Sequence, residues 1–392
     1  MLAVPTEAGF DFTSAVERRG TDSAKWARYA SKDVIPLWVA DMDFVSPPAV
    51  IDALKRRIDE GVFGYGEVTH AQLEVVLAYL QRTFRWTVDP SWIVWLPGLV
   101  TGLNIACRAV GQKDDAVVTA TPIYPPFLSA PTFSERRTVT VPLLRSAQRW
   151  EWDFPKLDEA FAESKAKLFQ LCHPHNPTGR AWSQDELLRV AELAEKYDLV
   201  ICSDEIHNGL VLSRPESAPH TVLASLSPEL AQRTITLMAP SKTFNIPGLG
   251  CAFAVISNAA LRRRFRAVMN GIVPHVNLLG MVANTAAFSL CDDWHKALIS
   301  LLTENAAAVE HAVAASPLLA MHPVEATYLA WIDARRLCQE KRLDSPARYF
   351  EAHGLGLSDG ADFGLPGFVR LNFGTRRALL DEALKRLSVA VA

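Results

Sequence analysis

The sequence predicts an α/β fold: a large region on a mostly parallel sheet, followed by a smaller α+β region. Three observations carry this expectation. From about residue 47 to 290, apolar runs of strand length alternate with amphipathic segments of helical period, the signature of a sheet with crossover helices. After about 290 the pattern changes to one long helical stretch and then short strands interleaved with helices. The length of 392 residues exceeds what a single core usually supports, so two regions are expected.

Residues 1–46 show no clear sheet pattern and are expected to form an arm that packs across the smaller region or a partner subunit. In the large region, 47–290, the expected strands are 116–120, 137–141, 167–172, 199–203, 234–238 and 251–256. The segment 184–196 has apolar residues at helical spacing after Ser183, with Glu186 three positions on, the signature of a capping box. In the small region, 291–392, helices are expected at 293–315, 345–353 and 376–389, with strands at 328–332 and 368–373. No repeat or low-complexity tract interrupts the chain.

A hydrophobic content of 49%, a charged content of 21% and a net charge of -3 give no global attraction to nucleic acid or anionic membrane. Arg262, Arg263, Arg264 and Arg266 fall on a polar helical segment and read as a solvated face. The six cysteines are scattered, with no Cys-x-x-Cys, and several lie in apolar runs; buried free thiols in a reducing cytoplasm are expected. Glu7 and Asp11 near the start, without a basic segment followed by an apolar one, do not read as a signal peptide. No apolar run approaches the roughly 20 residues that span a bilayer, so no membrane partner is expected.

Lys242, in Ser241-Lys242-Thr243-Phe244-Asn245-Ile246, follows one apolar run, and Asp204-Glu205-Ile206-His207 ends another. Ligands of open α/β sheets bind at such strand ends. A lysine amine can form a Schiff base with the aldehyde of pyridoxal phosphate, and a carboxylate can keep the pyridine nitrogen protonated so that the ring accepts electrons. Alone, Asp204 would read as a helix cap and Lys242 as a surface lysine. The neighbouring loops argue otherwise. Pro97-Gly98-Leu99-Val100-Thr101-Gly102 opens a helical pattern, so the amides of Val100 and Thr101 are candidates for a phosphate; an ordinary strand-to-helix turn would look the same. Tyr124 follows the 116–120 run and is placed to stack on the pyridine, unless it is a packed aromatic in a proline-stiffened turn. Asn176, in His173-Pro174-His175-Asn176-Pro177-Thr178-Gly179-Arg180, is a candidate donor to the phenolic oxygen at the substrate face. His173 and His175 alternate, but spacing indicates no third ligand, so no metal is expected. His207 would support the cofactor oxygen or the Asp204 carboxylate, or be satisfied locally, and the Ser241 hydroxyl would join the phosphate. Arg370, a cation in the apolar pattern Val369-Arg370-Leu371-Asn372-Phe373, suits bidentate binding of a substrate α-carboxylate; the alternative is a strand-edge surface arginine.

Asn176-Pro177-Thr178-Gly179, Asp204-x-x-His207, Ser241-Lys242 and Arg370 together resemble, in order and spacing, the fold-type I pyridoxal phosphate enzymes of the aspartate aminotransferase superfamily. Pro36-Leu37-Trp38-Val39-Ala40-Asp41-Met42-Asp43-Phe44, Phe63-Gly64-Tyr65 and the extension of the lysine motif to Leu249 resemble its MalY/PatB group of cystathionine β-lyases, also called cysteine-S-conjugate β-lyases. The resemblance implies an aspartate-aminotransferase-like α/β domain with a small α+β domain, and pyridoxal 5'-phosphate as cofactor. Lys242 would carry the Schiff base, Asp204 pair with the ring nitrogen, Asn176 contact the phenolic oxygen, Tyr124 stack and Arg370 bind the carboxylate. It further implies a homodimer with a shared active site, in which Tyr65 reaches the other subunit's phosphate and Trp38 lies at the substrate entrance. Many aminotransferases of the superfamily carry a phosphate-binding arginine eight residues after the lysine; here that position is Gly250, which favours the lyase branch. The expected reaction is carbon–sulfur β-cleavage of cystathionine or an S-substituted L-cysteine. Transamination is the first alternative, and a regulatory protein that binds a partner through the same fold is the second. A dinucleotide oxidoreductase is set aside, because no Gly-x-Gly-x-x-Gly joins strand to helix near the start.

Overall fold

The computed structural model describes residues 9–215 and 217–392, so Glu7 lies outside the described residues. Its centre is a seven-stranded sheet. A short strand β1 (Ile35–Pro36) precedes it; β2 (Ile93–Leu96), β3 (Ala116–Thr121) and β4 (Arg137–Pro142) belong to it. A small hairpin, β5 (Leu144–Arg145) and β6 (Trp150–Glu151), stands apart. The sheet continues with β7 (Leu168–Cys172), β8 (Val200–Asp204), β9 (Thr234–Met238) and β10 (Ala252–Val255). The spatial order is β2-β10-β9-β8-β7-β3-β4. All neighbours pair in parallel except β10, which runs antiparallel to both β2 and β9.

The central strands are near-continuous apolar runs because helices cover both faces of a parallel sheet, leaving no solvated side; every residue of β7, β9 and β10 is buried. Strand ends agree with the sequence expectation to within about one residue. The helix Gln184–Lys196 is capped as read: Ser183 Oγ accepts from the Glu186 amide at 3.2 Å, and Glu186 Oε2 accepts from the Ser183 amide at 2.8 Å. The segment after Tyr124, read as a proline-stiffened turn, is a helix, Pro125–Phe133. Prolines in a first helical turn lack only an amide that would have had no intrahelical acceptor.

Register places the site. Cys172 of β7 lies opposite Asp204 of β8, and the Glu205 amide bonds the Leu237 carbonyl of β9, so these strands end level. The loops after four neighbouring strands, β9, β8, β7 and β3, therefore bring Lys242, Asp204, Asn176 and Tyr124 to one edge. A second sheet, in the order β11 (Leu329–Asp333), β14 (Phe368–Asn372), β13 (Ser358–Asp359), faces that edge and supplies Arg370. Between them, β1 pairs in parallel with β12 (Leu355–Gly356), so the N-terminal segment is stitched to the C-terminal one. One continuous apolar core joins the parts, running from Leu37, Val50 and Val76 to Leu302, Leu329 and Leu387. No helix among the described residues is long and apolar enough to cross a membrane.

Candidate active site

At this edge lies a cavity of about 680 Å³. Trp38, Val100, Thr101, Tyr124, Asn176, Asp204, His207, Ser241, Lys242 and Arg370 all line it, whereas Tyr65, expected from the sequence to meet the phosphate, does not. Tyr65 is fully exposed in a loop whose Val62 and Phe63 are exposed as well.

Lys242 is half-buried, and its amine donates to the Ala40 carbonyl at 2.6 Å. Burial lowers its pKa to about 8, helped by the Arg370 charge and opposed by Asp41 and Asp204. At that value about a tenth of the amine is neutral at pH 7, the form that a nucleophile and base needs. Asp204 ends β8, and burial lifts its carboxyl to about pH 7, although the Ile206 amide, 3.1 Å from Oδ1, pulls the other way. Its second oxygen has no hydrogen-bond partner among the described residues, so a cationic ring N–H beside it would restore the ionised form.

Asn176 and Arg370 are wired together. Arg370 Nη1 donates to Asn176 Oδ1 at 3.0 Å, which fixes the amide orientation and leaves the Asn176 NH₂ free to donate. The Asn176 carbonyl accepts from the Tyr124 amide at 3.1 Å, tying the stacking residue to the same loop. Arg370 Nη2 donates to the Trp38 carbonyl at 2.7 Å and to Ser358 Oγ at 3.3 Å, and the guanidinium lies 4.7 Å from the Phe363 ring centre. Burial lowers its pKa to about 10, which still leaves it charged. Its Nε–H is buried with no acceptor, an arrangement that a substrate carboxylate would satisfy.

His207 makes no hydrogen bond to Asp204, so that part of the sequence expectation is not realised. Its Nδ1 is buried without a partner, and burial, with the Lys242 and Arg370 charges, holds its pKa far below the usual value. It is therefore a neutral ring at the cavity wall. His173 and His175 turn away to backbone carbonyls, with Nε2 contacts of 3.0 Å to Thr221 and 2.8 Å to Pro122.

At the far end, the helix Leu99–Ala109 presents its first turn. The Gly102 amide already bonds Gly98, whereas those of Leu99, Val100 and Thr101 have no intrahelical acceptor, which leaves them available to an anion beside Ser241. Gly250 sits nearby with φ +56, and a Cβ there would lie 3.1 Å from the Pro97 carbonyl. A side chain at that position is disfavoured by both backbone and space.

Sequence reasoning missed several contributors. Ser358 and Phe363 brace Arg370 from a two-residue strand and a four-residue 3-10 turn, both too short to carry a periodic signal. Tyr328 donates to the Ala40 carbonyl at 2.8 Å, and Arg28 lies 4.8 Å over the Trp38 ring at the mouth. The Ala40 carbonyl itself, being backbone, leaves no mark in the sequence.

Residues 32–387 match the family of class I and II aminotransferases. The chain belongs to that family. It is 34% identical to cystathionine beta-lyase PatB of Bacillus subtilis, over 97% of this chain and all of that one. A solved structure of a protein named OvoB superposes with a TM-score of 0.93 at 44% identity, covering 98% of this chain and 99% of that one. Cystalysin of Treponema denticola, whose structure contains pyridoxal 5'-phosphate, gives a TM-score of 0.91 at 32% identity, covering 97% and 98%. The cavity fits this family's cofactor: an amine for its aldehyde, an unpartnered carboxylate oxygen for its ring nitrogen, a free amide donor for its ring oxygen, and helix amides for its phosphate.

Proposed function

We propose that the chain is a pyridoxal 5'-phosphate-dependent carbon–sulfur β-lyase acting on cystathionine or another S-substituted L-cysteine and releasing pyruvate, ammonia and a thiol. The observation that carries this reading is the Lys242–Asp204–Asn176–Arg370 constellation lining one cavity, together with Gly250 where an arginine would otherwise meet the phosphate. The full-length similarity to a protein named cystathionine beta-lyase supports it.

When bound, the cofactor supplies an aldehyde and an electron-accepting ring that stabilises negative charge at the substrate α-carbon. Lys242 would hold it between turnovers. Arg370 binds the α-carboxylate through its fork and so aims the α-C–H at Lys242. The Lys242 amine, lowered to about 8, takes the α-proton. Asp204 would hold a proton on the ring nitrogen, and the Asn176 NH₂ would donate to the ring oxygen. Tyr124 would cover the ring face. The C–S bond then breaks, its electron pair leaves with the thiolate, and water converts the remaining three-carbon unit to pyruvate and ammonia. Val100, Thr101 and Ser241 would hold the phosphate.

The proposal includes a homodimer in which Tyr65 of one copy reaches the other's phosphate; the fully exposed Tyr65 loop and the lack of an arginine at 250 support it. We retain the division into an arm (1–46), a large domain (47–290) and a small domain (291–392), in keeping with sheet membership. A reducing cytoplasmic setting is supported by six free cysteines, five of them buried.

Transamination uses the same residues up to α-proton removal, and the family carries both activities. One experiment separates them: incubate S-substituted cysteines with cofactor-loaded enzyme, with and without a keto acid. Pyruvate and thiol without any acceptor establish the lyase; strict dependence on the acceptor establishes an aminotransferase. No turnover together with specific capture of a protein partner would favour the regulatory alternative.

A further inference from the structure

The motif from Pro36 to Phe44 carries two aspartates to which the reaction assigns no role. In the structure, five consecutive carbonyls of this motif, Trp38 to Met42, each accept from a side chain. Trp38 accepts from Arg370 at 2.7 Å, Val39 from Asn372 at 2.6 Å, and Ala40 from Lys242 at 2.6 Å and Tyr328 at 2.8 Å. Asp41 accepts from Asn372 at 2.8 Å and Lys25 at 3.1 Å, and Met42 from Asn245 at 3.0 Å. A half-buried segment outside helix and sheet draws on such donors for the carbonyls it hides from water. What sets this one apart is their identity, because the carboxylate arginine and the reactive lysine hang on carbonyls two residues apart.

A buried ion cluster anchors the segment from behind. The Lys25 side chain is fully buried, and its ammonium pairs with Asp43 Oδ2 at 2.7 Å. Asp43 Oδ1 accepts from Trp26 Nε1 at 2.9 Å and Arg18 Nη1 at 2.7 Å, and Arg18 also pairs with Asp41. The Lys25 carbonyl in turn holds the Trp38 indole at 3.1 Å, so Lys25 grips the segment at residues 38 and 41. A buried pair of this kind is weak evidence for stability, since apolar replacements of both partners are often neutral or stabilising. Fixed geometry is a better account of it.

We infer that Lys25 is a positioning residue: with Asp43 and Arg18 it locks Trp38–Met42 so that the Ala40 carbonyl aims the Lys242 amine at the α-proton while the Trp38 carbonyl aims Arg370. An amine that donates one N–H to a fixed acceptor has its lone pair directed. The inference rests on Lys242 being the base, in the lyase or the aminotransferase reading alike. Displacement by about 1 Å at such a base costs up to ~100-fold in rate.

The test uses cofactor-loaded, full-length enzyme carrying Lys25→Met together with Asp43→Asn, so that no buried carboxylate is left with Arg18 alone. Turnover per loaded site is compared for substrate bearing hydrogen or deuterium at the α-carbon, with product identity scored separately so that a failure of the lyase reading stays distinguishable. The expected result is a kcat lower by about 10- to 100-fold, with a larger deuterium effect because α-proton removal becomes rate-limiting. A kcat within threefold of the parent and an unchanged deuterium effect overturn the inference, whatever happens to thermal stability. If the double variant does not fold, Arg18→Met, at the solvent edge of the cluster, must show the same two changes in smaller degree; unchanged values there overturn it as well.

Discussion

Arg370→Ala is the perturbation whose size follows most directly from the structure. The guanidinium is buried and donates to Asn176, the Trp38 carbonyl and Ser358, while its Nε–H has no acceptor. Truncation would leave the substrate carboxylate without a counter-charge in a buried site, a loss of about 3–5 kcal/mol. At 1.4 kcal/mol per factor of ten, kcat/KM for an S-alkyl cysteine should fall by roughly two to three and a half orders of magnitude. Arg370→Lys keeps the charge but not the fork, and should lose about 10- to 100-fold. Pyruvate release followed through a coupled dehydrogenase gives both parameters. Values within threefold of the parent for Arg370→Ala, in enzyme with full cofactor content, would show that the carboxylate is bound elsewhere.

Lys242→Ala should abolish turnover and the visible absorbance of the lysine-linked cofactor; full activity would remove Lys242 from the mechanism. In cofactor-free protein the Asp204 carboxyl is raised from 3.8 to about 7, so the folded state holds a proton that the unfolded state releases, and this group's contribution to stability falls as pH rises from about 4 to 7. The stability difference between parent and Asp204→Asn should therefore shift against the parent over that window, by at most on the order of 4 kcal/mol, as read by denaturant melts; a pH-independent difference would contradict the shift. A thiol reagent should modify at most one cysteine in the native chain, the half-buried Cys338, and all six after unfolding; several fast-reacting thiols would mean that the core is not packed as described.

The fold was legible where burial is symmetric. Strands such as Thr234–Met238 are apolar on both faces, so they stand out as runs, and Ser183 with Glu186 announces its helix by local chemistry alone. The reversed direction of β10 was not legible, because a strand buried on both faces reads the same either way. In the site, Lys242, Asp204, Asn176 and Tyr124 could be read because polar motifs recur at the ends of successive apolar runs, and Arg370 because a cation interrupts an apolar strand. Ser358, Phe363, Tyr328 and Lys25 could not: each acts through contacts 7 to 288 residues away, or through a backbone carbonyl, and neither leaves a periodic trace. The helix after Tyr124 was hidden by its own prolines, which signal a turn unless they fall in a first helical turn.

The single hydrogen bond from Arg370 to Asn176 Oδ1 has a further meaning. On the proposed reading, the arginine that would bind the carboxylate also fixes the Asn176 amide that would face the cofactor, so the ring's electron demand would be set by the residue that senses the ligand. An unreactive carboxylic acid occupying Arg370 should then tint the bound cofactor, and the site carries its own optical gauge of occupancy. Compounds without the carboxylate would be disfavoured twice, once in affinity and again in the electronic readiness of the ring they reach.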